Sequence, residues 1–182
     1  NQVKNCYFDL TATSTTGNYY QTSILISNCN NSLCSGENGS YNKFSKNTFE
    51  GGYYGVLITG INTSGLGNKG NQIVNNNFID NYYYGIYNQY ADSTIIIQNN
   101  FTRPTRPTTN YFAIYSYYSK GFDISQNQFH NMDFSSNSGA DQYIIYNSQC
   151  DGPLLEPNKI NNNLVYDFKS GDVFYFIYDF YG

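Results

Sequence analysis

Four side chains able to move protons or carry charge fall into related places in the sequence: Asp80, Arg103, His130 and Asp133. Asp80, Arg103, Asn131 and Asp167 each lie two residues after the apolar residue that closes a recurring unit, so Asp80 and Arg103 belong to adjacent copies. A carboxylic acid beside a cation, joined by Asp133 and by His130, is the raw material of general acid–base catalysis. The competing reading is a cross-coil ion pair between exposed residues, and it is preferred here, because only one acid–base pair aligns. Glycosidic cleavage needs two carboxylates at a defined separation, whereas Asp80 and Arg103 are complementary charges that neutralise each other. No catalytic residue, metal ligand or cofactor is assigned.

A second constellation is aromatic. Leu57, Tyr87, Tyr115, Tyr146 and Ile177 occupy one outward position of successive copies. If the copies stack as strands, they lie ~4.8 Å apart and the three tyrosines form a strip of roughly 10 Å. Tyr87, Tyr115 and Tyr146 are therefore the candidate ligand-contact residues. Three readings stay open: the strip stacks sugar rings, it packs against another chain or a covering loop, or it is a solvated face that strengthens its sheet.

These positions come together only on a repeating framework, and the chain has one. The pattern apolar, two residues, Asn, one residue, apolar occurs as Phe44/Asn47/Phe49, Ile73/Asn76/Phe78, Ile96/Asn99/Phe101, Ile124/Asn127/Phe129 and Ile160/Asn163/Val165, with a first copy, Val3/Cys6/Phe8, that has Cys in the Asn place. Their irregular spacing falls within the range of solenoid repeats. A second element follows each copy, aligned as Ile24/Ile26/Asn28, Tyr54/Val56/Ile58, Tyr84/Ile86/Asn88, Phe112/Ile114/Ser116, Tyr143/Ile145/Asn147 and Phe174/Phe176/Tyr178. Its period of two predicts a strand with those residues inward. Helices are excluded by β-forming runs such as Thr94-Ile95-Ile96-Ile97 and by frequent Asn, Gly and Ser. Pro104 and Pro107 share one loop. The repeated Asn is expected in the turn itself, where it tolerates left-handed backbone angles and can join its counterparts in an amide ladder.

Composition narrows the partners. Aromatic residues make up 19% of the 182 residues (21 Tyr, 13 Phe, no Trp), and charged residues only 12%. That is too aromatic and too weakly charged for disorder. With a net charge of −4 and two arginines, Arg103 and Arg106, there is no basic patch for nucleic acid or an anionic membrane, and no apolar run long enough to span a bilayer. Of the four cysteines, Cys29 and Cys34 flank a short Asn/Ser loop, where a local disulfide and two free thiols are both open readings, while Cys6 and Cys150 are expected to stand apart. The glycosylation sequons at Asn30, Asn38, Asn62 and Asn100 carry little weight in so Asn-rich a chain. The first residue is not Met and opens inside a repeat, so the chain reads as a piece of something longer.

The units Asn-x-Ile-x-x-Asn-x-Phe followed by Tyr-Tyr-Gly-Ile resemble the right-handed parallel β-helix repeats of the pectate-lyase-like superfamily, over nearly the whole chain from Asn1 to about Tyr178. The resemblance implies an all-β fold: one solenoid domain over residues 1–182, about six coils, an inward Asn column and a stacked aromatic core. It leaves activity open, since the architecture hosts lyases, glycosidases, tailspikes and adhesins. Enzymes of the superfamily cluster carboxylates on one outer sheet, and no such motif is matched residue by residue. The expectation is a non-enzymatic, rigid module on an extracellular, cell or virion surface, able to oligomerise and to contact a glycan or protein partner. A polysaccharide-active enzyme and a viral tail or capsid fibre are the alternatives.

Overall fold

Each recurring unit forms two short strands joined by a sharp turn, and the element that follows forms a third. In the computed structural model, which describes residues 1–11, 21–27, 36, 39–62, 67–106, 110–135, 139, 141–152 and 156–180, these strands pair only in parallel, coil upon coil. The first sheet stacks Gln2–Lys4, Lys43–Ser45, Gln72–Val74, Ile95–Ile97, Asp123–Ser125 and Lys159–Asn161. The second runs from Tyr7–Leu10 through Thr48–Gly51, Asn77–Ile79, Asn100–Arg103 and Gln128–Phe134 to Leu164–Val165, with Phe168–Ser170 also on Gln128–Phe134. The third stacks Thr22–Ile26, Tyr54–Thr59, Tyr84–Gln89, Tyr111–Tyr117, Gln142–Ser148 and Phe174–Phe180. This is a parallel β-helix, and crossovers between parallel strands run right-handed almost without exception. Cys29, Cys34, Asn28, Asn30, Asn38 and Pro107 lie outside the described residues.

The register of the first two strands is the one the repeat predicts. Val3, Phe44, Ile73, Ile96, Ile124 and Ile160 pair in sequence. So do Phe8, Phe49, Phe78, Phe101, Phe129 and Val165. The phenylalanine rings stack at 5.1, 5.0, 4.6 and 4.9 Å. Full burial of one such side chain stabilises by ~1.5–3 kcal/mol.

Between the two strands runs the amide ladder. Asn47, Asn76, Asn99 and Asn127 are at most 1% exposed. The backbone N–H and the side-chain Nδ2 of each donate to the Oδ1 of the next, ending at Asn163, over 2.9–3.1 Å. Each Nδ2 also donates to a first-strand carbonyl of the preceding coil, as Asn99 Nδ2 does to Ile73 O at 2.8 Å. At the top, Cys6 donates its N–H to Asn47 Oδ1. One expectation is corrected: the left-handed residue is not the ladder Asn but the one before it, at Asn5, Lys46, Asn75, Gln98, Gln126 and Asn162. The bend there turns the Asn side chain inward and sends its predecessor outward. A second, shorter ladder, Asn1 to Asn42 to Asn71, gives way to Thr94 and then to Phe122, both buried.

The third sheet departs from strict alternation. At Gly55 and Gly85 an added Cβ would press on the core rings of Phe78 and Phe101 and on the carbonyls of Gly85 and Ala113, so both glycines face inward. Val56 and Ile86 also lie in the core. Two consecutive inward residues are a bulge-like break in the period of two. Tyr54, Tyr84, Phe112 and Tyr143, expected in the core, therefore stand on the outer face. The inward series Gly55, Gly85, Ala113, Ile144 grows as the second-strand column ends in Val165, so space is conserved across the core. Register shifts at both ends as well. Thr22, not Ile24, pairs with Tyr54. Tyr175, not Phe174, pairs with Tyr143, and Tyr178, not Ile177, takes the outward place beside Tyr146. Phe174 packs against the core instead. Ile177 continues the core column of Ile145 and is 47% exposed, because no described residue covers the last coil. Cys6 and Cys150 are free thiols, as expected; Cys150 is buried, which raises its thiol to about 11.

Candidate functional site

The outer face of the third sheet is set by a local four-residue unit: Tyr54-Gly55-Val56-Leu57, Tyr84-Gly85-Ile86-Tyr87, Phe112-Ala113-Ile114-Tyr115 and Tyr143-Ile144-Ile145-Tyr146. Since the middle two residues turn to the core, the first and fourth both turn out and meet. Tyr87, Tyr115 and Tyr146 are in register as expected. With Tyr178 they stack at 5.0, 4.9 and 5.1 Å, with interplanar angles of 9°, 9° and 21°. Tyr54, Tyr84, Phe112, Tyr143 and Tyr175 form a parallel stack at 5.0, 5.2, 4.7 and 5.0 Å. The two columns meet edge to face, at 85° for Tyr84–Tyr87, 88° for Phe112–Tyr115 and 84° for Tyr143–Tyr146.

This herringbone satisfies the ring quadrupoles, which favour offset stacks and T-shaped contacts. It also decides what the strip can offer. Ring faces are occupied by the rings above and below, which leaves ring edges for contact, and the Tyr143 hydroxyl donates to Asp141 Oδ2 at 2.9 Å. Flat sugar-ring stacking is not available along the column. Access is graded: Leu57 and Tyr87 are buried, and Tyr115, Tyr143, Tyr146, Tyr175 and Tyr178 are half-buried.

Burial pushes the hydroxyls of Tyr84, Tyr115, Tyr143 and Tyr146 above the usual tyrosine range, with neighbouring phenols, and Asp141 at Tyr143, adding to the shift. The folded chain thus keeps protons that the unfolded chain releases near pH ~10. This contribution to stability is complete below that pH and is lost as pH rises through the higher native values. Alkaline titration is expected to show tyrosinate absorbance from this group appearing together with loss of the β circular dichroism signal. A smooth titration centred near pH ~10 with the fold intact would show the strip to be solvated.

The charged constellation is not assembled. Both Asp80 carboxylate oxygens are engaged by Thr105, through its N–H at 3.0 Å and its hydroxyl at 2.7 Å. Arg103 is fully buried, not exposed. It donates to the carbonyls of Asn81 and Tyr82 and lies between the rings of Tyr111 and Phe134, 4.9 and 5.1 Å from their centroids. The register shift between Thr102 and Arg103, which pairs Arg103 with Met132, takes it out of line with Asn131 and turns it inward. Burial lowers its guanidinium to about 10, with Tyr111 and Asp80 opposing. His130 sits 2.7 Å from Asn100 Oδ1 and stacks on Tyr166 at 4.7 Å. Asp133 takes hydrogen bonds from Ser135 and from Lys169, which hold its carboxyl at about 2. Among the described residues the ion pairs are Lys169–Asp133 and Lys120–Asp92, and neither joins Asp80 to Arg103.

One feature escaped the sequence pattern: a groove over the ladder turn whose seven lining residues are all amides. Its signal lay in the residues on either side of each ladder Asn. Fold and site together define the chain as a parallel β-helix with an aromatic outer sheet. Comparison with models of protein families, with curated proteins and with solved structures finds no match.

Proposed function

We propose that the chain is a rigid, non-catalytic module of an extracellular or surface-exposed protein, of adhesin, fibre or stalk type, and that its contact face is the accessible end of the tyrosine strip. The observation that carries this reading is the preordered double column around Tyr115, Tyr143, Tyr146, Tyr175 and Tyr178, whose rings are already held by their neighbours. Tyrosines fixed before contact give large area at low entropy cost. Because their faces cover one another and the half-buried members leave ring edges for contact, the partner they suit is a second chain. The resemblance to the pectate-lyase-like superfamily belongs to the same proposal, supported by parallel stacked sheets and the amide ladder.

The test is a panel of cell-surface and matrix proteins beside a glycan array, probed with wild type and a Tyr115→Ala/Tyr146→Ala/Tyr178→Ala variant. Capture of a protein by the wild type that the variant loses is expected. Capture that survives all three substitutions would place the contact elsewhere. Turnover of a glycan, abolished by Asp80→Asn, would replace this reading with an enzymatic one.

A further inference from the structure

Over the ladder turn lies a groove of about 550 Å³ lined by Asn75, Asn77, Gln98, Asn99, Asn100, Gln126 and Gln128. We infer that it is a binding site for a neutral, hydroxyl-rich ligand, an oligosaccharide lying along the helix axis. The volume falls in the ~300–1,000 Å³ range of ligand clefts, but the lining is polar and carries no charge.

The groove follows from the turn. The left-handed residues Asn75, Gln98 and Gln126 point outward on one side. Asn77, Asn100 and Gln128, which open the second-sheet strands in mutual register, point outward on the other. Asn99, a ladder member, contributes to the floor. Folding does not demand amides on the two rails. The same positions hold Lys46 and Thr48 in the coil before and Asn162 and Leu164 in the coil after. Yet in three consecutive coils all six are Asn or Gln.

Much of their hydrogen-bonding capacity is unspent within the chain. Gln98 Nε2 donates to Gln126 Oε1 at 2.9 Å, which leaves Gln98 Oε1 and Gln126 Nε2 for a ligand. Asn100 uses its oxygen on His130 and keeps its Nδ2. Asn75 and Asn77 make no side-chain hydrogen bond to another described residue. A primary amide offers two donors and an acceptor with two lone pairs, the complement of a hydroxyl, which both gives and accepts. With rungs ~4.8 Å apart, the alternation repeats along the axis, which suits an extended polymer. The Tyr166 hydroxyl, whose ring stacks on His130, lies 3.4 Å from Gln128 Oε1. A lining free of cations gives no reason for an anionic sugar to be preferred.

The experiment uses isotopically labelled chain and neutral cello-, manno- and chito-oligosaccharides, with oligogalacturonate as the anionic comparison. The side-chain NH₂ signals of Gln98, Gln126 and Gln128 are expected to shift with a neutral oligosaccharide. Affinity should fall about tenfold in Gln98→Ala/Gln126→Ala, checked for folding by circular dichroism. It should be unchanged in the triple tyrosine variant, which separates this site from the strip. No shift with any neutral oligosaccharide, binding unaffected by the double variant, or binding of oligogalacturonate alone would overturn the proposal.

Discussion

Phe101→Ala is expected to lower the unfolding free energy by about 3–5 kcal/mol. The ring is fully buried, in the middle of the phenylalanine column, with Phe78 stacked on one face at 4.6 Å and Phe129 on the other at 4.9 Å. Its edge meets the backbone at Gly85, where an added Cβ would come within 2.9 Å. Collapse into the space is blocked, because the strand on either side is held in register by its own rung. The lost contacts and the cavity therefore both count. Denaturant titration should show a lower midpoint with an unchanged slope. A cost below ~1 kcal/mol would mean that the column can relax and that the core is looser than its geometry.

Asn99→Ala is expected to cost on the order of 3 kcal/mol or more. Four groups lose a partner together: the Asn76 N–H and Nδ2, which donate to Asn99 Oδ1 at 2.9 and 3.0 Å, and the Ile73 carbonyl and Asn127 Oδ1, which accept from Asn99 Nδ2 at 2.8 and 3.1 Å. All are buried; Asn76 Nδ2 keeps Phe44 O and Asn127 Oδ1 keeps the Asn99 N–H, whereas a buried group left without a partner, as the Asn76 N–H is, costs ~1–3 kcal/mol, and the lost side-chain bonds and volume add to it. Asn99→Asp separates the ladder from simple packing. It keeps the volume and the acceptor facing Asn76, but sets a second oxygen against the Ile73 carbonyl and Asn127 Oδ1. If Asp were tolerated as well as Asn in thermal unfolding, the ladder would be a by-product of the turn and not its support.

The parts of this fold that could be read in advance share one property: the same residue type is required at the same place in every coil. Asn47, Asn76, Asn99, Asn127 and Asn163 form one hydrogen-bonded file, and Phe49, Phe78, Phe101 and Phe129 one stack, so both stand out as spacing. Strict alternation gives the third sheet the wrong facing, because Gly85 and Ile86 both turn inward and a period of two cannot represent that. It puts Tyr84 and Tyr87 on opposite faces, although their ring centroids lie 5.0 Å apart. The repeat alone puts Arg103 on the surface, because a register shift of one residue leaves no trace in the spacing. The candidate strip at Tyr87, Tyr115 and Tyr146 was legible in position, but not in orientation, and orientation controls which ring surface a partner meets. The amide groove was hidden by abundance: in so Asn-rich a chain, Asn75 and Asn77 look like background.

The direction of the ladder has a mechanical consequence. Its hydrogen bonds, like those of the sheets, run along the helix axis, so tension between the chain ends loads them rung by rung. Successive ladder residues are 29, 23, 28 and 36 residues apart. A coil pulled free contributes roughly 80 to 125 Å of extended chain, in place of the ~4.8 Å of axis that it occupied. Under load the molecule behaves as a coiled tether, stiff until one turn gives way, then lengthening in discrete, unequal steps.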